Sequence, residues 1–202
     1  MVGIIDYGVG NLFSLVSSFK YLGISAEKVS DEKSIAKCDR LILPGVGAFG
    51  DAANALKTSG LDMVVKRVAN EGTPLLGICL GMQLLFEKGL EFGEHEGLGL
   101  IPGNVVSIKP LAKGNKIPQI GWNSLEFTAN KGDIYKYTPN GEFVYFVHSF
   151  HADCPAEYIT AQTEYGSLLT ASVQRGNVMG AQYHPEKSGE SGLLILKSFC
   201  EI

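Results

Sequence analysis

Basic surplus, long apolar runs and paired cysteines are all missing from this chain, and each absence removes a class of function. Lysine and arginine number 17 against 21 aspartates and glutamates, a formal net charge of −4. A nucleic-acid binder relies on neutralising phosphates with cations, so no nucleic-acid partner is expected. The most apolar stretch, Leu75 to Phe86, is interrupted by Gln83 and two glycines and is too short to cross a bilayer. No positive region precedes the apolar residues of Met1–Asp6, so no signal peptide is evident, and a cytoplasmic location without a membrane partner is expected. The 4 cysteines, Cys38, Cys79, Cys154 and Cys200, lie far apart without a CxxC pair, which favours free thiols over a disulfide framework. There is no G-x-x-x-x-G-K-[ST] phosphate loop and no H-E-x-x-H, and Gly8-Val9-Gly10 lacks the third glycine of a dinucleotide fingerprint because Phe13 stands there. The Glu91, Glu94, His95, Glu96 cluster matches no zinc spacing. Neither a metal nor another cofactor is expected.

What is present is an ordinary globular composition: 202 residues, 45% hydrophobic, with 25 glycines. The first half alternates two periods. Val2–Asp6, Leu41–Leu43 and Thr73–Ile78 are short apolar runs that read as strands. Between them, Leu12, Leu15, Val16 and Phe19 follow one helical face behind an Asn11 cap, and helices are predicted over Asp51–Thr58 and Leu61–Asn70. Leu80–Lys88 reads as another helix. Strands separated by helices pair in parallel through crossovers. In the second half Val105–Ile108, Phe143–Val147, Tyr158–Thr163, Leu168–Val173 and Asn177–Tyr183 read as strands, with Gly176-Asn177 as a hairpin turn and a final helix over Ser188–Cys200. The expectation is one α/β domain spanning 1–202: a mostly parallel central sheet with helices on both faces, plus an antiparallel addition in the C-terminal half.

Three segments carry chemistry. Gly77-Ile78-Cys79-Leu80-Gly81 has the G-x-nucleophile-x-G form between an apolar strand and a helix. Glycines on both sides permit the sharp turn that projects the nucleophile, and the helix start favours a thiolate. A lone cysteine is otherwise most often a buried structural thiol. Near the other end stands His184-Pro185-Glu186, directly after an apolar strand. A thiol nucleophile needs a base, and that base needs a third group to orient it. In extended chain His184 and Glu186 project to the same side. The competing reading is an exposed turn. Leu43-Pro44-Gly45-Val46-Gly47, at a strand end, can expose backbone N–H groups toward a developing oxyanion, with the Leu80 N–H as a second donor. Taken alone it is also an ordinary glycine turn.

The segment Gly77–Gln83 together with His184-Pro185-Glu186 resembles the class I (triad) glutamine amidotransferases. The resemblance extends along the chain through Ile5–Leu12, Leu43–Phe49, Gly121-Trp122-Asn123, Tyr145–Phe150 and His184–Ser188. It implies that Cys79 attacks the side-chain amide of glutamine, that His184 shuttles the proton and that Glu186 orients His184. It further implies an oxyanion hole from Val46 and Leu80, and a glutamine pocket involving Gly45, Gly47, Gln83, Glu91, Ser149 and Phe150. The Gly-Trp-Asn and Tyr145–Phe150 segments are similar to the branch that serves histidine biosynthesis. That branch passes ammonia to a (β/α)8-barrel cyclase subunit in a heterodimer, with Asn11, Tyr145 and Lys187 on the shared face. Phe13 departs from the basic residue more usual there. Other branches, serving pyridoxal phosphate or anthranilate synthesis, share the three catalytic positions. A cysteine hydrolase on a similar sheet and a catalytically silent binding module are the readings outside the family.

Overall fold

The computed structural model describes all residues from Met1 to Ile202. Four short strands form its first half: β1 (Val2–Ile5), β2 (Ala26–Val29), β3 (Arg40–Leu43) and β4 (Leu75–Ile78), all but the edge strand β2 largely buried. The helices between them are α1 (Leu12–Tyr21), α2 (Glu32–Ile35), α3 (Phe49–Thr58) and α4 (Leu61–Asn70), and α5 (Leu80–Gln83) follows β4. The remainder is largely strand: β5 (Lys88–Gly89), β6 (His95–Glu96), β7 (Asn104–Ser107), β8 (Gln119–Ser124), β9 (Glu126–Phe127), β10 (Phe143–His148), β11 (Phe150–Asp153), β12 (Ile159–Tyr165), β13 (Ser167–Arg175) and β14 (Val178–Ala181). Helix α6 (Gly189–Cys200) closes the chain.

The main sheet has the order β2-β1-β3-β4-β14-β13-β12-β9. Its first five strands are parallel, and β13, β12 and β9 add antiparallel strands beyond β14. Successive side chains of a strand point to opposite faces, and the core divides accordingly. Ile5, Leu41, Leu43 and Leu75 join one cluster with α3 and α4, while Ile4, Ile42, Leu76 and Ile78 join another with α1 and α6. Each fully buried aliphatic side chain contributes roughly 1.5–3 kcal/mol, so losing either face would leave the sheet unstable. Strands β11-β7-β5-β6 form a small second sheet, and β8 and β10 a two-stranded ribbon.

The expected hairpin is present: Arg175 pairs with Val178, and Gly176, at φ 57°, takes the left-handed turn. Asn11 Oδ1 accepts from the Ser14 N–H and caps α1. The helix expected over Leu80–Lys88 is corrected to Leu80–Gln83, one turn. Beyond it, the carbonyls of Leu84, Leu85 and Phe86 accept from the N–H groups of Leu98 to Ile101, and these tertiary bonds replace the helical ones. Lys88 then begins β5 instead of ending a helix.

Candidate active site

Strand β4 delivers Cys79 at the top of the sheet. Its backbone sits at φ 55°, ψ −112°, a conformation non-glycine residues rarely adopt, and the chain reverses there into α5. The flanking glycines are steric necessities. A Cβ on Gly81 would stand 1.8 Å from the Leu43 carbonyl oxygen, and one on Gly77 would stand 2.6 Å from Gly81 O. The Cys79 N–H donates to Ala181 O at 2.7 Å, which ties the turn to the end of β14. Because α5 is a single turn, the helix dipole expected to favour a thiolate is that of a few peptides only. The sulfur lies 3.8 Å from Gln182 Nε2 and 4.0 Å from Val147 O.

Parallel pairing of β4 with β14 aligns Ile78 with Ala181, so the residues after each strand end share one edge. His184 arrives there by this register, and its N–H donates to Tyr145 O at 2.9 Å. His184 Nδ1 and Glu186 Oε1 are 2.8 Å apart, with both side chains almost completely buried. The two meet through a 3-10 turn over Pro185–Lys187 rather than through extended chain. Ser188 fastens that turn, accepting from the Tyr145 N–H and donating to His184 O. Burial opposes charge on the imidazole. The hydrogen bonds and negative charge of Cys79 and Glu186 outweigh it and raise the His184 pKa to about 9.

A cleft of about 290 Å³ opens beside Cys79 and His184, near the lower end of small-molecule sites. Val46, Gly47 and Leu80 line one side of it; Gln83, Glu91, Ser149 and Phe150 also border it. Of the glycines expected at the pocket, Gly45 is the exception. It backs onto the turn, where a Cβ would stand 2.7 Å from Gly81 N and 2.9 Å from Leu80 Cβ. Its smallness therefore lets the Pro44–Gly47 segment lie against Leu80. Gln83 is already engaged, donating from Nε2 to Phe150 O and to Gln182 Oε1, each at 3.0 Å. One oxygen of Glu91 accepts from the Phe49 N–H at 2.7 Å and caps α3, which has no cap of its own. A wider groove, about 470 Å³, runs between α3, α4 and the Glu94–Leu98 loop and includes neither Cys79 nor His184.

On the outer surface, Lys187 Nζ lies 5.9 Å from the Tyr145 ring, and Trp122 meets Tyr145 edge-on. Asn11 is half-buried with its side chain on the α1 cap. No group of three His, Cys, Asp or Glu side chains could hold a metal ion, and no helix is long and apolar enough to cross a membrane. Three residues near the site escaped the motif reading. Tyr7, in the glycine-rich segment after β1, donates its hydroxyl to Pro44 O at 2.8 Å and holds the Pro44–Gly47 loop. Gln182, two residues before His184, touches the sulfur. His148 borders the cleft with its Nδ1 2.8 Å from Phe150 O.

A cysteine on a strand-to-helix turn, an imidazole held by a carboxylate and a glycine loop on the rim of the same cleft form a cysteine amidase arrangement. The model of the class-I glutamine amidotransferase family matches residues 3–201. The chain belongs to the class I glutamine amidotransferases. Among relatives of this amidotransferase, the imidazole glycerol phosphate synthase subunit HisH of Caldanaerobacter subterraneus is 50% identical over 100% of this chain and 98% of its own length. The protein of the same name from Wolinella succinogenes is 47% identical over 100% of both, and that of Bacillus cereus 48% identical over 98% of this chain and 93% of its own. Solved structures share the amidotransferase fold. PurLQS from Thermotoga maritima aligns with TM-score 0.77 at 21% identity, over 99% of this chain and 97% of that one. A crystal structure of a glutamine amidotransferase aligns with TM-score 0.76 at 20% identity over the same shares.

Proposed function

We propose that this chain is the glutaminase subunit of an imidazole glycerol phosphate synthase, acting in histidine biosynthesis, with Cys79, His184 and Glu186 as its catalytic groups. The observation that carries the chemistry is the convergence of the sulfur and the carboxylate-paired imidazole at one cleft, across the β4–β14 pair. Full-length identity of 47–50% to subunits of that synthase carries the pathway.

In the first half-reaction the Cys79 sulfur attacks the side-chain amide carbon of glutamine. The developing oxyanion is met by the backbone N–H groups of Val46 and Leu80. His184, held protonated, gives its proton to the departing nitrogen, and ammonia leaves behind a γ-glutamyl thioester. Forming the thioester removes the negative charge from sulfur and with it part of what keeps His184 protonated. The now neutral imidazole takes a proton from water, whose oxygen attacks the thioester. Glutamate departs and the sulfur regains its charge. Glu186 keeps the ring in one tautomer throughout. Gln83 and Glu91, through their remaining oxygens, and Ser149 with Phe150 hold the amino-acid end of glutamine.

Ammonia released into neutral water becomes ammonium and loses its nucleophilicity. A biosynthetic glutaminase therefore needs a dry passage to its acceptor. The reading supplies one through a (β/α)8-barrel cyclase subunit docked on the face that carries Tyr145, Lys187 and Asn11. The whole of 1–202 works as one unit in that heterodimer, in the cytoplasm. The test uses Cys79→Ala with the cyclase subunit and glutamine. Turnover of glutamine is expected to fall roughly 10³-fold or more, with partner binding retained in size-exclusion chromatography. Full turnover by that variant overturns the assignment, and stimulation by an unrelated acceptor synthase instead of the cyclase overturns the pathway.

A further inference from the structure

A buried row of amides runs behind the sulfur, and its direction is determined at its far end. The Phe150 carbonyl can only accept hydrogen bonds. It receives the Nδ1–H of His148 at 2.8 Å and the Nε2–H of Gln83 at 3.0 Å. That acceptor dictates which end of the Gln83 carboxamide faces it. The second hydrogen on the same nitrogen reaches Gln182 Oε1 at 3.0 Å. With its oxygen engaged, Gln182 turns its Nε2 toward Cys79 Sγ, 3.8 Å away. Gln182 is 0% exposed and Gln83 5%, so water does not compete for these groups. Opposing this donor is the Val147 carbonyl, 4.0 Å from the sulfur. A carbonyl there favours the thiol, to which it offers an acceptor, while an amide N–H favours the thiolate.

We propose that Gln182 is a positioning residue for Cys79: its carboxamide, locked by Gln83 and the Phe150 carbonyl, donates to the sulfur and holds it as an aimed thiolate. The inference rests on Cys79 being the nucleophile. Its two faces are then distinct. His184 supplies the proton and opposite charge, and Gln182 supplies a neutral donor that stays in place after the proton moves. Orientation matters as much as presence, because reversing the Gln182 amide would put a second acceptor beside the sulfur.

The experiment follows alkylation of Cys79 by iodoacetamide against pH in the heterodimer, resolved from the other three cysteines by peptide mass spectrometry. Gln182→Met keeps the side-chain length and removes the donor. Gln83→Glu leaves Gln182 intact but replaces the donor that orients it by an acceptor. In both variants the alkylation midpoint is expected to rise by about one pH unit or more. In Gln182→Met, kcat for glutamine is expected to fall roughly tenfold with KM little changed. A merely structural glutamine would alter thermal stability and leave the midpoint where it is. Unchanged midpoints in variants that still bind the partner overturn the proposal. If Gln182→Met does not fold, the Gln83→Glu midpoint decides alone. Raised midpoints in the variants, with no glutamine turnover by the wild type, would overturn the functional reading and leave this one standing.

Discussion

One buried histidine follows β14 and another ends β10, and they behave in opposite ways. His184 is 2% exposed and His148 6%. Both rings are anchored through Nδ1 at 2.8 Å, to a carboxylate in one and to a backbone carbonyl in the other. Burial disfavours the charged form of both. Beside Cys79 and Glu186 the hydrogen bonds and negative charges overcome it and the pKa is raised to about 9. Beside Phe150 O nothing does, and burial lowers His148 to about 4. Coulombic repulsion from the His151 and His184 imidazoles lowers His148 further. Two imidazoles with similar geometry thus divide, near neutral pH, into a protonated ring and a neutral one. Negative groups close to the ring, Cys79 first and then Glu186, decide which is which.

Removing the formal charge of Glu186 tests the comparison most strongly. Glu186→Gln keeps a hydrogen-bonding oxygen near Nδ1 but deletes the negative charge. His184 should then behave more like His148, and kcat is expected to drop roughly 10²–10⁴-fold. A variant with near wild-type kcat would mean that the carboxylate only fills space.

Titrating the two rings separates them next. By NMR, His184 should stay protonated until the pH approaches 9, while His148 should stay neutral down to about 4. The stability consequences have opposite sign. The raised pKa of His184 gives a contribution fully present below the ordinary value near 6.5 and lost as pH rises through about 9. The depressed pKa of His148 means stability is retained above about 6.5 and lost as pH falls through about 4. That second loss amounts to about 3 kcal/mol at full protonation. Urea unfolding between pH 4 and 7 should show it in wild type and not in His148→Gln. An identical slope in both proteins would remove His148 as its cause.

The smallest effect belongs to the glycine loop that borders the cleft with His184. Tyr7→Phe removes the buried hydroxyl that holds Pro44 O and should cost about 1 kcal/mol in unfolding free energy. A loss of glutamine turnover of a few-fold should accompany it. Unfolding energy identical to wild type would show that the hydroxyl does not restrain the loop.

How much was legible depended on whether the physical reason for a residue lay nearby in the chain. β1, β3 and β4 were readable as unbroken apolar runs, and α1, α3 and α4 because their buried residues recur near a period of 3.6. The Gly77–Gly81 turn was readable because its pattern is contiguous in the chain, although the clash that keeps Gly81 a glycine comes from the distant Leu43 carbonyl. Edge strand β2 was not: Glu27 and Lys28 are exposed there and no apolar alternation marks it. Strand β8 inverts the usual pattern, with Ile120 and Trp122 exposed and Gln119 buried. The end of α5 was misread because bonds from Leu98 to Ile101, absent from any local window, replace its next turn.

Local chain chemistry alone determined the strained cysteine turn, the glycine loop, the helix faces and the presence of a histidine two residues from a carboxylate. Only the tertiary structure decided that Cys79 and His184 share an edge, through the parallel register of β4 on β14. It also decided that Gln182 faces the sulfur and that Glu91 caps α3. The reason is that strand register and amide orientation are set by hydrogen bonds between segments distant along the chain, which side-chain period does not record.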